Sequence, residues 1–243
     1  MQKEKKNWYR SWFDTPYYHI LYKDRDYEEA SYFMEQLTSF LNLPKDSEIL
    51  DLACGKGRHS KYLNRLGYRV TGVDLSVASI AHAKKFENEK LSFQVHDMSE
   101  PFSKKFDAIF NLFTSFGYFE KEEDNLRTLM AIQTGLKRGG FGVIDFLNSN
   151  YVAKNIIPKE TKTIEGITFE IERYIKDGYI FKNIGFTDEG IQYNFTERVK
   201  ALTLNDFKTY FEKANCTLIH CFGDYHLTEF DEDISERLIL IFN

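Results

Sequence analysis

A chain of 243 residues, 42% hydrophobic and 28% charged, can bury one sizeable core, so one domain with an elaboration is expected rather than several domains. Lys and Arg number 32 against 37 Asp and Glu, a formal charge of -5, which withholds the basic field that duplex nucleic acid requires of a partner. No apolar run approaches the roughly 20 residues that cross a bilayer, the opening MQKEKKNWYRSWF holds no apolar signal region, and Cys54, Cys216 and Cys221 form no C-x-x-C, so a cytoplasmic protein with reduced thiols and no membrane partner is expected.

Residues 26 to 42 place Ala30, Phe33, Met34, Leu37, Phe40 and Leu41 at helical spacing, and Asp26 followed by Glu29 has the form of a capping box, which predicts an amphipathic helix ahead of the core. From Glu48 onward short apolar runs alternate with helical patterns. EILDLA is followed by a helix near Arg58 to Leu66, YRVTGVD by a helix from Ser76, and LSFQVHD by FDAIFNLF; a helix near Glu122 to Leu136 then leads into GGFGVIDFL. This alternation predicts an α/β fold of parallel strands joined by crossover helices. Between 164 and 200 it gives way to three strand-like runs, ITFEIERYI, YIFKNIGF and IQYNFTERVKAL, separated by Asp177-Gly178 and Asp188-Glu189-Gly190, both hairpin signals. An antiparallel insertion over 149–200 is therefore expected inside a core built from 1–148 and 201–243, with residues 1–44 as a helical segment at its start. LNDFKTYFEKA then returns to helical spacing, CTLIHCF to strand, and ERLILIF closes the chain as an apolar strand.

The segment DLACGKGRHS, residues 51 to 60, runs an apolar strand into Gly55 and Gly57 and then into a helix. Glycines there let backbone approach a ligand, and a helix N-terminus offers unpaired N–H groups, although a tight strand-to-helix turn alone also calls for glycine. The next strand ends in Asp74, placed to accept from both hydroxyls of a ribose, with Leu75 beside it. A third ends in Asp97-Met98, where a carboxylate can accept from an adenine amino group while an apolar side chain covers the ring; the plainer role for Asp97 is a turn or cap.

These residues, in that order of strands, resemble the class I S-adenosylmethionine-dependent methyltransferases over roughly residues 45 to 148. The glycine signature matches Asp51, Gly55 and Gly57, with Ala53 standing where many members have its first glycine; the ribose acid matches Asp74, and the adenine side matches Asp97 with Met98. The resemblance implies a doubly wound, seven-stranded, mostly parallel Rossmann-like sheet whose last strand is the antiparallel ERLILIF. It also implies S-adenosylmethionine as cofactor. Asn111, Leu112 and Phe113 at the fourth strand end would then face the methionine part and the acceptor, and they lack the Asn-Pro-Pro-Tyr form of nucleobase amino-methyltransferases, which disfavours DNA. The resemblance makes residues 1–44 a helical lid, in which Tyr18, with Tyr22 second, matches the lid tyrosine that reaches the cofactor carboxylate in small-molecule members. The insertion stands where sugar N-methyltransferases carry a small antiparallel sheet that roofs the acceptor or pairs two subunits.

A nicotinamide Rossmann enzyme would need glycine at position 60, which is Ser60. The six histidines show no ligand spacing, so no metal is expected. His59 reads as a first-turn helix residue and Cys54 as a small buried one; Phe113, Phe116 and Phe119 fit core packing as well as a pocket wall. Methyl transfer to an amine or hydroxyl of a small molecule, such as a sugar, is the expected activity, with Tyr118 and His226 as candidates for the proton-accepting role. The alternative in another class is a non-catalytic sensor of S-adenosylmethionine.

Overall fold

Leu238, Ile239, Leu240, Ile241 and Phe242 are all buried, and successive members belong to opposite hydrophobic clusters. A strand with period-two side chains can do this only where both faces of its sheet are covered, which is why apolar runs rather than strict alternation mark the core. A computed structural model describes residues 12–23 and 27–243. In chain order they form α1 (Pro16–Leu21), α2 (Tyr27–Phe40), β1 (Glu48–Leu52), α3 (Arg58–Arg65), β2 (Arg69–Asp74), α4 (Val77–Ala83), β3 (Leu91–Val95), β4 (Phe106–Asn111), α5 (Glu122–Gly135) and β5 (Leu136–Leu147). There follow α6 (Ser149–Asn155), β6 (Lys159–Ile164), β7 (Ile167–Lys176), β8 (Tyr179–Asp188), β9 (Ile191–Lys200), α7 (Leu204–Ala214), β10 (Leu218–Phe222) and β11 (Arg237–Phe242). The expected α/β architecture is present: a seven-stranded sheet of order β10-β11-β5-β4-β1-β2-β3, parallel from β5 to β3, with β11 antiparallel to its neighbours.

One face of this sheet carries Phe33, Met34 and Leu37 of α2 with Leu63 of α3 and Ile80 of α4; the other carries Leu129 and Ile132 of α5 with Phe207 and Phe211 of α7. The predicted N-terminal helix is α2, and Asp26 of its expected capping box lies outside the described residues.

The insertion holds four antiparallel strands, β6-β7-β8-β9, where three were expected. β6, KETKTI, escaped notice because Ile164 is its one apolar residue, leaving no alternation to read. All three connections are two-residue turns with both φ values positive: Glu165-Gly166, Asp177-Gly178 and Glu189-Gly190. That geometry matches the right-handed twist of the flanking strands. The inward face of this second sheet, Ile167, Phe169, Ile171, Ile184 and Phe186, packs against Trp12 and Leu21, so the N-terminal segment docks on the insertion.

Candidate functional site

β1 has β2 on one side and β4 on the other, so chain order reverses beside it, and ligands of open α/β sheets settle in the crevice beyond the carboxyl ends at such a point. A cavity of about 460 Å³ opens there. Its floor is made by the ends of four adjacent strands: Asp51 to Gly55 after β1, Asp74 to Ser76 after β2, His96 to Met98 after β3, and Leu112 to Ser115 after β4. Phe13, Tyr18, His19 and Tyr22 of the N-terminal segment, Tyr118 and Phe119, and Glu197 of β9 complete the wall.

Asp74 is held in a fixed pose by backbone. Gly55 N–H donates to Oδ2 and Ser76 N–H to Oδ1, both at 2.8 Å. Burial pushes its carboxyl above the usual range, and these two bonds work against that rise. Each oxygen keeps a lone pair for a further donor. A Cβ built on Gly55, whose φ is +54°, would meet nothing within 4 Å, so its backbone borders open space. Asp97 Oδ1 accepts from Ser99 N–H at 2.9 Å and from Ser99 Oγ at 2.8 Å, the turn role, while the residue also faces the cavity. Asp51 is buried and accepts from Ser60 Oγ; burial pushes its carboxyl up to about 6, with the Ser60 bond opposing. The serine that replaces the nicotinamide fingerprint's glycine thus has a partner of its own. Together these features fit an adenosyl group: two acidic side chains with accepting capacity, a backbone that can be approached, and Leu75 and Met98 as apolar cover.

Tyr18, Ala53, Leu75, Met98, Leu112, Phe113 and Tyr118 all line the cavity, as do the named acids and Gly55. Three expected residues do not. Gly57 caps α3 with φ +76°, and a Cβ there would come 2.6 Å from the Phe93 ring, so its glycine serves the packing of α3 on β3. Asn111 is fully buried, its Nδ2 donating to Leu52 O at 3.2 Å, which ties β4 to β1 behind the wall. His226 is exposed, with Nδ1 3.2 Å from Tyr32 Oη, and lies outside the cavity lining; its place in the β10–β11 loop is set by Asp224, whose Oδ1 accepts its N–H at 2.9 Å. Cys54 is buried at the wall, and burial raises its thiol pKa, so it stays protonated. The His59 ring packs against Phe113 with centroids 4.4 Å apart and planes tilted by 33°. Burial lowers the pKa of His19, aided by the Lys56 charge, which favours a neutral ring at the wall.

Glu197 was not foreseen. Its Oε1 accepts from Trp12 Nε1 and from Tyr22 Oη, each at 2.7 Å, so one carboxylate joins the N-terminal segment to the second sheet at the cavity wall. The sequence did hold a signal: in β9 it occupies the position between Phe195 and Val199 in the period-two pattern, on the face those apolar residues share.

Backbone strain collects at the same place. Ala53, Phe113 and Thr114 have φ of +64°, +58° and +58°, a conformation costing about 1–2 kcal/mol per residue that carries a Cβ.

Residues 49–140 match a family model described as a methyltransferase domain. YqeM of Bacillus subtilis (strain 168), whose name places it among methyltransferases, is 33% identical over 124 residues, 49% of this chain and 50% of that protein. The dTDP-3-amino-3,4,6-trideoxy-alpha-D-glucopyranose N,N-dimethyltransferase of Streptomyces venezuelae is 23% identical over 156 residues, 61% of this chain and 65% of its own. The chain therefore spans half to two thirds of the length of these curated relatives. The crystal structure of an S-adenosylmethionine-dependent methyltransferase from Clostridium acetobutylicum ATCC 824 shares the fold, with a TM-score of 0.77 at 22% identity over 93% of this chain and 95% of that one.

Proposed function

We propose that this chain, which belongs to the class I S-adenosylmethionine-dependent methyltransferases, moves a methyl group from S-adenosylmethionine to an amine or hydroxyl of a small molecule. One observation carries the reading: Asp51, Asp74 and Asp97 from three neighbouring strand ends share a single cavity with Phe13, Tyr18 and Tyr22 of the N-terminal segment, Tyr118 and Phe119 after β4, and Glu197 of the second sheet. When bound, the donor supplies a methyl group on a positive sulfur and leaves as a neutral thioether. Asp74 would accept from the ribose hydroxyls, and Asp97 from the adenine amino group, with Met98 and Leu75 against the ring. Tyr18 would reach the carboxylate end. Because the donor is already activated, the residues mainly have to align the acceptor and exclude water, which can lower a barrier by about 7–11 kcal/mol. Phe13, Tyr18, Tyr22, Tyr118 and Phe119 exclude water, and their ring faces attract a cation by roughly 0.5–2 kcal/mol each.

A protonated acceptor must also lose a proton. With His226 outside the cavity, Tyr118 is the remaining candidate from the sequence, and Glu197 joins it as a carboxylate at the acceptor side. We read residues 149–200 as the unit that roofs the acceptor and 1–148 with 201–243 as the core. The same reading has the protein working in the cytoplasm without a DNA partner, and gives the second sheet as the surface through which two copies would pair.

The test is transfer of isotopically labelled methyl from S-adenosylmethionine to a panel of small amines, amino sugars and hydroxyl compounds. Label in any product supports the reading. S-adenosylhomocysteine bound tightly with no label moved to any class of acceptor contradicts it in favour of a sensor.

A further inference from the structure

Two consecutive residues with side chains, Phe113 and Thr114, adopt left-handed backbone where β4 meets the cavity. Such a conformation persists only where its surroundings over-determine it. Here one residue, Asp145, accepts the backbone N–H of both. Asp145, in β5 and fully buried, accepts the Phe113 N–H on Oδ2 at 2.7 Å and the Thr114 N–H on its backbone carbonyl at 3.0 Å. Its Oδ1 takes Arg237 Nε at 2.8 Å and Nη2 at 2.7 Å, and Tyr225 Oη donates to Oδ2 at 3.3 Å. Arg237 closes the circuit by donating from Nη2 to Thr114 Oγ1 at 2.9 Å. None of Asp145, Arg237 and Tyr225 lines the cavity, yet between them they fix the direction of two residues that do.

A buried ion pair is a weak source of stability, because desolvating both charges offsets most of their attraction. One that spends its hydrogen bonds on a strained turn at a cavity wall has a better-attested use, holding groups in a set geometry. We propose that Asp145, backed by Arg237 and Tyr225, is a positioning residue that sets the Leu112–Ser115 turn against the amino-acid end of the donor. The inference rests on the reading of the cavity as an S-adenosylmethionine site. It makes the circuit part of donor binding at that end only, since the adenosine end lies at β2 and β3.

Calorimetry with two ligands separates the ends: S-adenosylhomocysteine carries the amino-acid part and 5′-methylthioadenosine lacks it. In D145N the affinity for S-adenosylhomocysteine should fall at least 10-fold while that for 5′-methylthioadenosine changes less than twofold. Y225F, which removes one long bond and leaves the ion pair intact, should show the same pattern at about threefold, and it carries the test should D145N fail to fold. Equal losses for both ligands, or no loss for S-adenosylhomocysteine in Y225F together with R237K, would overturn the proposal. If the unaltered protein binds neither ligand, the donor-site reading itself is wrong and the proposal falls with it.

Discussion

Ala53 holds a methyl group where the backbone at the end of β1 turns left-handed, with φ +64°. Glycine relieves that strain of about 1–2 kcal/mol but adds freedom to the unfolded chain worth about 0.4–1 kcal/mol. Ala53→Gly should therefore raise stability by roughly 0.5–1 kcal/mol in urea denaturation; a loss would mean that packing of the methyl outweighs the strain. Beside it, Asp51 has its carboxyl raised from the ordinary 3.8 to about 6, chiefly by burial. At neutral pH the buried ionised group subtracts from stability. As pH falls through about 6 the folded chain takes up a proton that the unfolded chain does not, so this group's contribution becomes more favourable. Asn stands in for the neutral form. The stability of the native chain relative to Asp51→Asn should improve by about 1 kcal/mol between pH 7 and pH 5, read from urea titrations of both proteins at each pH; a constant difference would show that Asp51 does not titrate in that window.

At the scale of elements, α7 begins with a complete capping box: Thr203 Oγ1 accepts from Asp206 N–H at 3.3 Å while Asp206 Oδ2 accepts from Thr203 N–H at 2.8 Å. α7 also delivers Phe207 and Phe211 to the core. Thr203→Ala should cost about 1 kcal/mol of global stability, and a value near zero would show that core packing alone sets where the helix starts. Strands and helices of the large sheet were legible because each buries a face, so periodicity records it. The antiparallel sheet was legible at Asp177-Gly178 and Glu189-Gly190, where backbone conformation demands particular residues. It was not legible at β6, an edge strand with little to bury. Glu197 and Asp145 share a different history. Each is a carboxylate within an otherwise apolar pattern, which announces a partner but not which one, since Trp12 and Arg237 lie 185 and 92 residues away in the chain.

In the whole molecule, β1 between β2 and β4 puts three acids, a glycine loop and a strained turn at one crevice, and the second sheet closes it with help from residues that precede the core. The positions of the acids were legible because all three lie within two residues of a strand's carboxyl end, the edge that borders the crevice: Asp74 closes β2, Asp51 is one residue short of the end of β1, and Asp97 is two residues past β3. The residues that do not line the cavity follow the same logic. Gly57 packs against Phe93, Asn111 is buried against the Leu52 carbonyl, and His226 belongs to a loop whose path no local pattern sets. The proposed adenosyl site at the three strand ends is most directly tested by calorimetric titration of S-adenosylhomocysteine into the native chain and into Asp74→Ala, with thermal melts to confirm that both are folded. One-to-one binding by the native chain, weakened at least 10-fold in the folded variant, is the predicted result. Equal affinity in the two proteins, or no binding by the native chain, would contradict it.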